Sequence, residues 1–179
     1  MDDGSCKHCR DMDYCFDFCR SAMDYRAPMP DLIHALKYRG MATLGTYLGT
    51  KMADYAKDYS AFDAYSLVVP VPLHPVRKRE RGYNQSAIIA QKLARDLGKS
   101  YLDCVQRKRY TRSQTTLERK ARLSNLSGAF RVKDKSAVKG KCVILVDDVF
   151  TTGSTLNEVS RALYEAGADK VAGYTATRA

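Results

Sequence analysis

Two short and almost entirely apolar runs constrain the fold of this 179-residue chain more than any other feature. SLVVPV spans residues 66–71 and CVILV spans residues 142–146, and both carry apolar side chains at odd and even positions alike. A strand with this pattern is covered on both faces, as the central strands of a parallel sheet are. The sequence therefore predicts an α/β fold in which a parallel twisted sheet is flanked by helices.

Hydrophobic periodicity and turn residues predict the other elements. Helices are expected at residues 31–39, 43–57, 83–97 and 154–166, and further strands at residues 101–106, 129–132 and 170–177. Residues 1–30 are expected to be a cysteine-rich zone of turns, followed by one domain over residues 31–179. The basic run at residues 77–81 is expected to lie in a loop, and residues 107–127 are expected to be a long exposed loop. Ligands of such sheets bind at the carboxyl ends of the strands, so the residues after each apolar run are candidates for a binding site.

Composition sets the broad class of the protein. Hydrophobic residues make up 45% and charged residues 28% of the chain, as in a globular domain rather than a disordered one. No stretch approaches the roughly 20 apolar residues that span a bilayer, and the N-terminus does not resemble a secretion signal. We therefore expect a cytoplasmic protein without membrane insertion. The net charge of +10 favours a polyanionic partner, for which phosphorylated metabolites and nucleic acid both qualify.

Asp147 and Asp148 follow the second apolar run and precede a hydroxyl-rich turn that leads into a helix. The turn consists of Phe150, Thr151, Thr152, Gly153, Ser154 and Thr155. A strand, tight turn and helix in this order leave backbone N–H groups unpaired at the positive end of the helix dipole, which suits a phosphate. Carboxylates repel phosphate, so the two aspartates are expected to face sugar hydroxyls or a divalent metal. An isolated pair of aspartates is also compatible with a simple strand end and helix cap.

The complete pattern from residue 143 to residue 155 resembles the phosphoribosyl diphosphate motif of type I phosphoribosyltransferases. ALKYRG at residues 35–40, together with residues 68–86 and 111–130, resembles the ComF family of competence-associated phosphoribosyltransferase-like proteins. The resemblance implies a type I phosphoribosyltransferase fold, phosphoribosyl diphosphate as ligand, Mg²⁺ as cofactor and a role in DNA uptake during natural transformation. It also implies that Asp147 and Asp148 are catalytic and that the hydroxyl-rich turn binds the 5-phosphate. The acceptor of the phosphoribosyl group is not indicated.

A second anion site is expected for the pyrophosphate group, at the turn after the first apolar run. The candidate residues are Pro72, Leu73, His74, Arg77, Arg79 and Arg81. Arginine side chains match phosphate oxygens as paired donors, although a solvated basic helix face remains the alternative. Residues 111–127 resemble the hood that closes over the ligands in type I enzymes and excludes water. Its candidate contacts to pyrophosphate are Arg112, Ser113, Gln114, Thr115 and Arg119.

Four cysteines near the N-terminus form a candidate zinc site. Cys6, Cys9, Cys15 and Cys19 lie within fourteen residues, and cytosolic thiols at such spacing favour a metal over disulfides. The C-x3-C spacing of the second pair and the short gap between the pairs depart from the longer zinc module that the family resemblance implies. Reduced, oxidation-prone thiols are therefore the alternative, and His8 is a possible substitute ligand.

A different functional class also fits the basic composition. A non-catalytic DNA-uptake adaptor would bind single-stranded DNA and a helicase partner through its basic surface and zinc module. The twelve tyrosines provide surfaces for base stacking, but they are not interleaved with the basic runs. Both interpretations remain open from the sequence.

Overall fold

A five-stranded parallel sheet forms the centre of the protein in the computed structural model, which describes residues 13–108 and 128–179. The strands are β1 (Phe18–Asp24), β2 (Leu67–Pro70), β3 (Ser100–Tyr101), β4 (Val105–Arg107), β5 (Phe130–Val132), β6 (Cys142–Phe150) and β7 (Lys170–Arg178). The helices are α1 (Met29–Tyr38), α2 (Thr43–Ala56), α3 (Pro75–Arg81), α4 (Gln85–Asp96) and α5 (Ser154–Glu165). The large sheet has the order β1-β7-β6-β2-β3 with parallel pairing throughout, and β4 pairs antiparallel with β5. The predicted parallel α/β sheet is confirmed.

Two hydrophobic cores cover the two faces of the sheet. Val143 and Leu145 of β6 belong to the core beneath α5, whereas Ile144 and Val146 belong to the core beneath α1, α2 and α4. All four side chains are fully buried, and their alternation follows from the two-residue period of a strand. The helices on both faces hold β6 in place, so the residues at its carboxyl end are attached to a rigid part of the fold.

The N-terminal region is not only the zone of turns that the sequence predicted, because part of it forms a strand. β1 lies at the edge of the sheet and pairs in parallel with β7, from Phe18 opposite Ala172 to Asp24 opposite Arg178. Its side chains are mostly half-buried, so it lacks the continuous apolar pattern that identified the central strands. Part of the predicted N-terminal segment is therefore a strand of the main sheet.

Two further predictions are corrected. The basic run is not a loop, because residues Pro75–Arg81 form α3, whose seven residues include none that is buried. A helix without a buried face gives no apolar period, so periodicity could not detect it. The single strand expected at residues 101–106 is two strands, β3 in the large sheet and β4 in the small one. The four predicted helices are all present with slightly different ends.

Among the residues that the structure describes, no helix is both long and apolar enough to cross a membrane.

Candidate functional site

The two predicted anion-binding turns lie side by side at the carboxyl edge of the sheet. β2 and β6 are neighbours, with Pro70 opposite Val146, and the Val71 N–H donates to the Val146 carbonyl at 2.8 Å. β6 continues past this point through both aspartates to Phe150, which is further than the sequence indicated. The extension is held by pairing with β7, since Asp147 lies opposite Thr175. The aspartates are therefore part of a regular strand rather than of a loop.

The two carboxylates have different surroundings. Asp147 is half-buried, and its Oδ1 accepts hydrogen bonds from Ser86 Oγ at 2.8 Å and from the Asp148 N–H at 2.9 Å. Asp148 is only 4% exposed, and its Oδ2 lies 3.0 Å from Lys37 Nζ at the end of α1. This ion pair compensates the burial of Asp148 and ties α1 to the strand. Asp147 is therefore the more accessible of the two carboxylates.

The environment of Asp147 favours its protonated form. Burial raises the pKa of the Asp147 carboxyl, and the negative charge of Asp148 raises it further, while the Ser86 hydrogen bond and the Lys37 charge oppose the shift. Perturbed carboxyls of this kind cluster at functional sites, which supports the site assignment.

The raised pKa of Asp147 predicts a pH-dependent effect of Asp147→Asn on stability. An acid whose folded pKa exceeds its unfolded value of about 4 contributes stability below that value, and the contribution is lost as the pH rises through the folded pKa. Asparagine does not titrate, so the stability of the variant relative to the wild type is expected to increase with pH. The gain is at most about 1.4 kcal/mol for each pH unit within this window. Thermal unfolding at several pH values measures it, and a pH-independent difference would contradict the shift.

The hydroxyl-rich turn caps α5 in a conformation that suits an anion. Gly153 adopts a left-handed backbone with φ of 71°, and its carbonyl accepts the Asn157 N–H at 2.8 Å. Thr152 Oγ1 and Ser154 Oγ lie 2.8 Å apart, while the Ser154 N–H makes only a long contact of 3.5 Å to Thr152 Oγ1. The first turn of α5 contains no acidic residue, so its positive dipole end is not neutralised locally. Residues 151–155 thus combine helix amides and hydroxyls at one point.

The turn between β2 and α3 is held by its own side chains. His74 caps α3, and its Nδ1 accepts the Val76 N–H at 3.2 Å. Burial lowers the pKa of His74, and the charges of Arg107 and Arg79 lower it further. Because Nδ1 accepts the Val76 N–H, the neutral ring carries its proton on Nε2. Asn84 Nδ2 donates to the Val71 carbonyl at 3.0 Å and fixes the start of the turn. Pro72 is buried and Leu73 is half-buried, which fits a packing role for these two residues.

A basic cleft of about 280 Å³ lies between the end of α1 and α3. It is lined by Lys37, Tyr38, Gly40, Arg77, Glu80 and Arg81. The Arg81 guanidinium lies 5.5 Å from the centre of the Tyr38 ring and donates to Gln85 Oε1, and Arg77 lies 3.9 Å from Glu80. Three cations against one carboxylate make the cleft attractive to an anion. Of the three arginines predicted for pyrophosphate, two line this cleft, whereas Arg79 is exposed and does not.

Three residues of the site were not identified from the sequence. Lys37 and Ser86 lie in stretches that resemble the ComF family, but no pattern of letters indicated that each contacts one of the aspartates. Arg107, at the end of β4, is close enough to Asp147 that the carboxylate opposes the lowering of the Arg107 pKa by burial and by Arg77. Arg107 thus adds a cation beside Asp147.

Several predicted residues are not described by the structure. The hood residues Arg112, Ser113, Gln114, Thr115 and Arg119 lie outside the described residues, as do Cys6 and Cys9. Cys15 and Cys19 are half-buried, and in the described ranges no group of three or more His, Cys, Asp or Glu side chains is arranged to hold a metal. The zinc site therefore stays a prediction.

The residues at the carboxyl edge of the sheet fit a Mg²⁺ ion that is coordinated mainly by a bound substrate and water rather than by the protein. Mg²⁺ is usually bound by one or two carboxylates together with water and substrate phosphates, rather than by a full set of protein ligands. Asp147 supplies a half-buried carboxylate that interacts with Lys37, one of the residues of the basic cleft.

Comparison with known proteins agrees with this geometry. Residues 83–178 match the family model of the phosphoribosyl transferase domain, which is more than half of the chain. The chain is 36% identical over 153 residues to competence protein F of Haemophilus influenzae, covering 82% of this chain and 66% of that protein. It is 34% identical over 152 residues to DNA utilization protein YhgH of Escherichia coli K12, covering 83% and 66%. The chain belongs to the ComF family. This confirms the family predicted from the sequence.

The ComF chain spans 66% of the length of these two relatives. Among solved structures, a phosphoribosylpyrophosphate amidotransferase from Bacillus subtilis aligns with a TM-score of 0.50 and 25% identity. The alignment covers 74% of this chain and 26% of that chain. Together with the family match, it confirms the type I phosphoribosyltransferase fold of this ComF protein.

Proposed function

We propose that this protein binds phosphoribosyl diphosphate at the carboxyl edge of its sheet and transfers the phosphoribosyl group, with Mg²⁺, to an acceptor. Residues 151–155 hold the 5-phosphate, Asp147 and Asp148 serve the ribose hydroxyls, and the basic cleft holds the pyrophosphate group. The names of its relatives refer to competence and DNA utilization, so we propose that this activity serves the handling of incoming DNA.

The observation that supports the proposal most directly is the 3.0 Å ion pair between Lys37 and Asp148. Lys37 lines the basic cleft, and Asp148 lies on the strand that continues to the phosphate turn. The four Cα–Cα steps from Asp148 to Thr152 span at most about 14 Å. An anion site, a pair of carboxylates and a cationic cleft therefore follow one another over a short distance. Phosphoribosyl diphosphate has the matching order of a phosphate, a diol and a diphosphate.

The same arrangement fits the chemistry of transfer. The bond between ribose C1 and the diphosphate oxygen breaks, and its electron pair leaves with the diphosphate. Asp147 stabilises the positive charge that develops on the ribosyl group, while Lys37, Arg77 and Arg81 stabilise the leaving diphosphate. When bound, Mg²⁺ supplies further charge neutralisation of the diphosphate. The acceptor forms the new bond to C1 and releases its proton.

A thermal-shift titration with phosphoribosyl diphosphate and Mg²⁺ tests the proposal. A ligand at 100 times its Kd stabilises the native state by about 2.7 kcal/mol. For a domain of this size that corresponds to a rise of roughly 5–10 °C in Tm. Ribose 5-phosphate and pyrophosphate are each expected to give smaller shifts, because each fills only one anion site. No shift at millimolar ligand would contradict the proposal.

A DNA-uptake adaptor is the second candidate, supported by the exposed basic side chains of α3 such as Lys78 and Arg79. In this case single-stranded DNA and a helicase partner bind through the basic surface and the zinc module. Fluorescence anisotropy with a labelled oligonucleotide at increasing salt distinguishes the two candidates. Affinity for DNA that falls steeply with salt and ignores phosphoribosyl diphosphate would favour the adaptor. Competition between the two ligands would instead indicate one shared site.

A further inference from the structure

The segment before β1 contacts the phosphate turn directly. The Tyr14 hydroxyl donates to the Thr152 carbonyl at 2.9 Å, across 138 positions of sequence. The next residue, Cys15, donates its N–H to Asn157 Oδ1 in the first turns of α5 at 2.7 Å. The Tyr14 ring also packs so closely on Gly153 that a Cβ there would lie 2.8 Å from Tyr14 Cε1. One hydrogen bond and a ring contact thus join this segment to the turn, and a second hydrogen bond joins it to α5.

The Tyr14 hydrogen bond fixes the orientation of one peptide group in the turn. The carbonyl of Thr152 and the N–H of Gly153 belong to the same planar trans peptide, so they point in opposite directions. Because the carbonyl is held toward Tyr14, the Gly153 N–H is held on the side away from Tyr14. The carbonyl of Gly153 is held in turn by the Asn157 N–H at 2.8 Å. Both peptides that flank the Gly153 Cα are therefore fixed before any ligand arrives.

The Tyr14 ring is itself held in place by neighbouring aromatics. It stacks on Phe16 with ring centres 4.7 Å apart and meets Phe150 edge-on at 6.4 Å. Phe16 and Phe150 are both buried. A rigid donor is more effective in orienting a backbone group than a mobile one, because less conformational freedom is lost on binding.

From these contacts we propose that Tyr14 is a positioning residue of the 5-phosphate site, orienting the Gly153 N–H through the Thr152 carbonyl. The inference rests on the proposed function, because it concerns the same turn. It extends the site to a segment that precedes the phosphoribosyltransferase domain predicted from the sequence. It also places Cys15, one of the four cysteines, in direct hydrogen-bonded contact with α5 through its backbone.

Calorimetry with ribose 5-phosphate and with pyrophosphate, each in the presence of Mg²⁺, tests the role of Tyr14. Tyr14→Phe removes only the hydroxyl, and we expect it to weaken ribose 5-phosphate binding about fivefold, the value of one typical hydrogen bond. Pyrophosphate affinity is expected to stay unchanged, because its site does not contact Tyr14. The matched control is Tyr164→Phe, since the Tyr164 hydroxyl binds Asp17 Oδ1 at 3.1 Å and so anchors the same segment far from the turn.

The outcomes separate this inference from the proposed function. Wild-type protein that binds neither ribose 5-phosphate nor phosphoribosyl diphosphate would overturn the proposed function. Wild-type binding with no change in Tyr14→Phe would overturn only the role of Tyr14. Equal losses for both ligands, or an equal loss in Tyr164→Phe, would indicate general loosening and overturn it as well. In the wild-type protein, NMR should show the Gly153 amide and the Tyr14 ring shifting with ribose 5-phosphate but not with pyrophosphate.

Discussion

Replacing both Asp147 and Asp148 by asparagine is expected to weaken the binding of phosphoribosyl diphosphate by at least about a hundredfold. Hydrogen bonds to charged groups each contribute about 1.5–3 kcal/mol, and the double variant removes both charges while keeping the shape of the side chains. Titration calorimetry with Mg²⁺ present measures the loss. Unchanged affinity in the double variant would show that the roles given to the two carboxylates are wrong.

The single variants are expected to behave differently from each other. Asp148→Asn leaves the Lys37 ammonium, whose side chain is 23% exposed, without its partner, so it should destabilise the fold by about 1–3 kcal/mol. Asp147→Asn should reduce affinity with little loss of stability near neutral pH, because it removes a carboxylate that burial and Asp148 already disfavour. The control for the double variant of Asp147 and Asp148 is Asp54→Asn combined with Asp58→Asn. It makes the same change in net charge at two exposed positions, and it should bind the ligand normally.

Gly153→Ala is expected to have the second large effect, because it acts on the phosphate turn in two ways. A side chain at φ of 71° is strained by about 1–2 kcal/mol. The new Cβ would also lie 2.8 Å from Tyr14 Cε1 and 2.9 Å from Phe150 Cζ, and relieving such contacts costs a further ~1–3 kcal/mol. We expect a total loss of about 2–5 kcal/mol in the free energy of unfolding. Chemical denaturation measures it, and calorimetry should show at least tenfold weaker binding of ribose 5-phosphate.

Gly98→Ala separates the two causes. Gly98 also has a left-handed backbone, with φ of 63°, but nothing lies within 4 Å of an added Cβ. This variant should lose only the strain of about 1–2 kcal/mol and keep its affinity for the ligand. If Gly153→Ala is no more destabilising than Gly98→Ala, the tight packing of Tyr14 and Phe150 on the turn is incorrect.

The central part of the fold could be predicted from the sequence because its signals are strong. β2 and β6 are covered on both faces, and α5 carries a clear apolar stripe. In each of these elements the spacing of apolar residues in the sequence matches the residues that are buried in the structure. β1 and α3 could not be predicted in the same way. β1 is an edge strand with half-buried side chains, and α3 buries no residue, so neither has an apolar period.

The site could be predicted as far as it is local in the chain. The aspartates and the hydroxyl-rich turn are consecutive, and their order alone indicated a phosphate beside a diol. Lys37, Tyr14 and Arg107 reach the same site from distant parts of the chain, and no sequence pattern specifies which residues a fold brings together. Tyr14 gave no signal at all, because its role depends on one hydrogen bond to a carbonyl 138 positions away.

The most direct measurement is a crystal structure of the protein with phosphoribosyl diphosphate and Mg²⁺ bound. We predict that the 5-phosphate lies within hydrogen-bond distance of the backbone N–H groups of residues 151–155, with the ribose hydroxyls at Asp147 and the diphosphate toward Lys37 and Arg77. A site left empty at saturating ligand, or a ligand bound with its diphosphate on the hydroxyl-rich turn, would contradict this prediction.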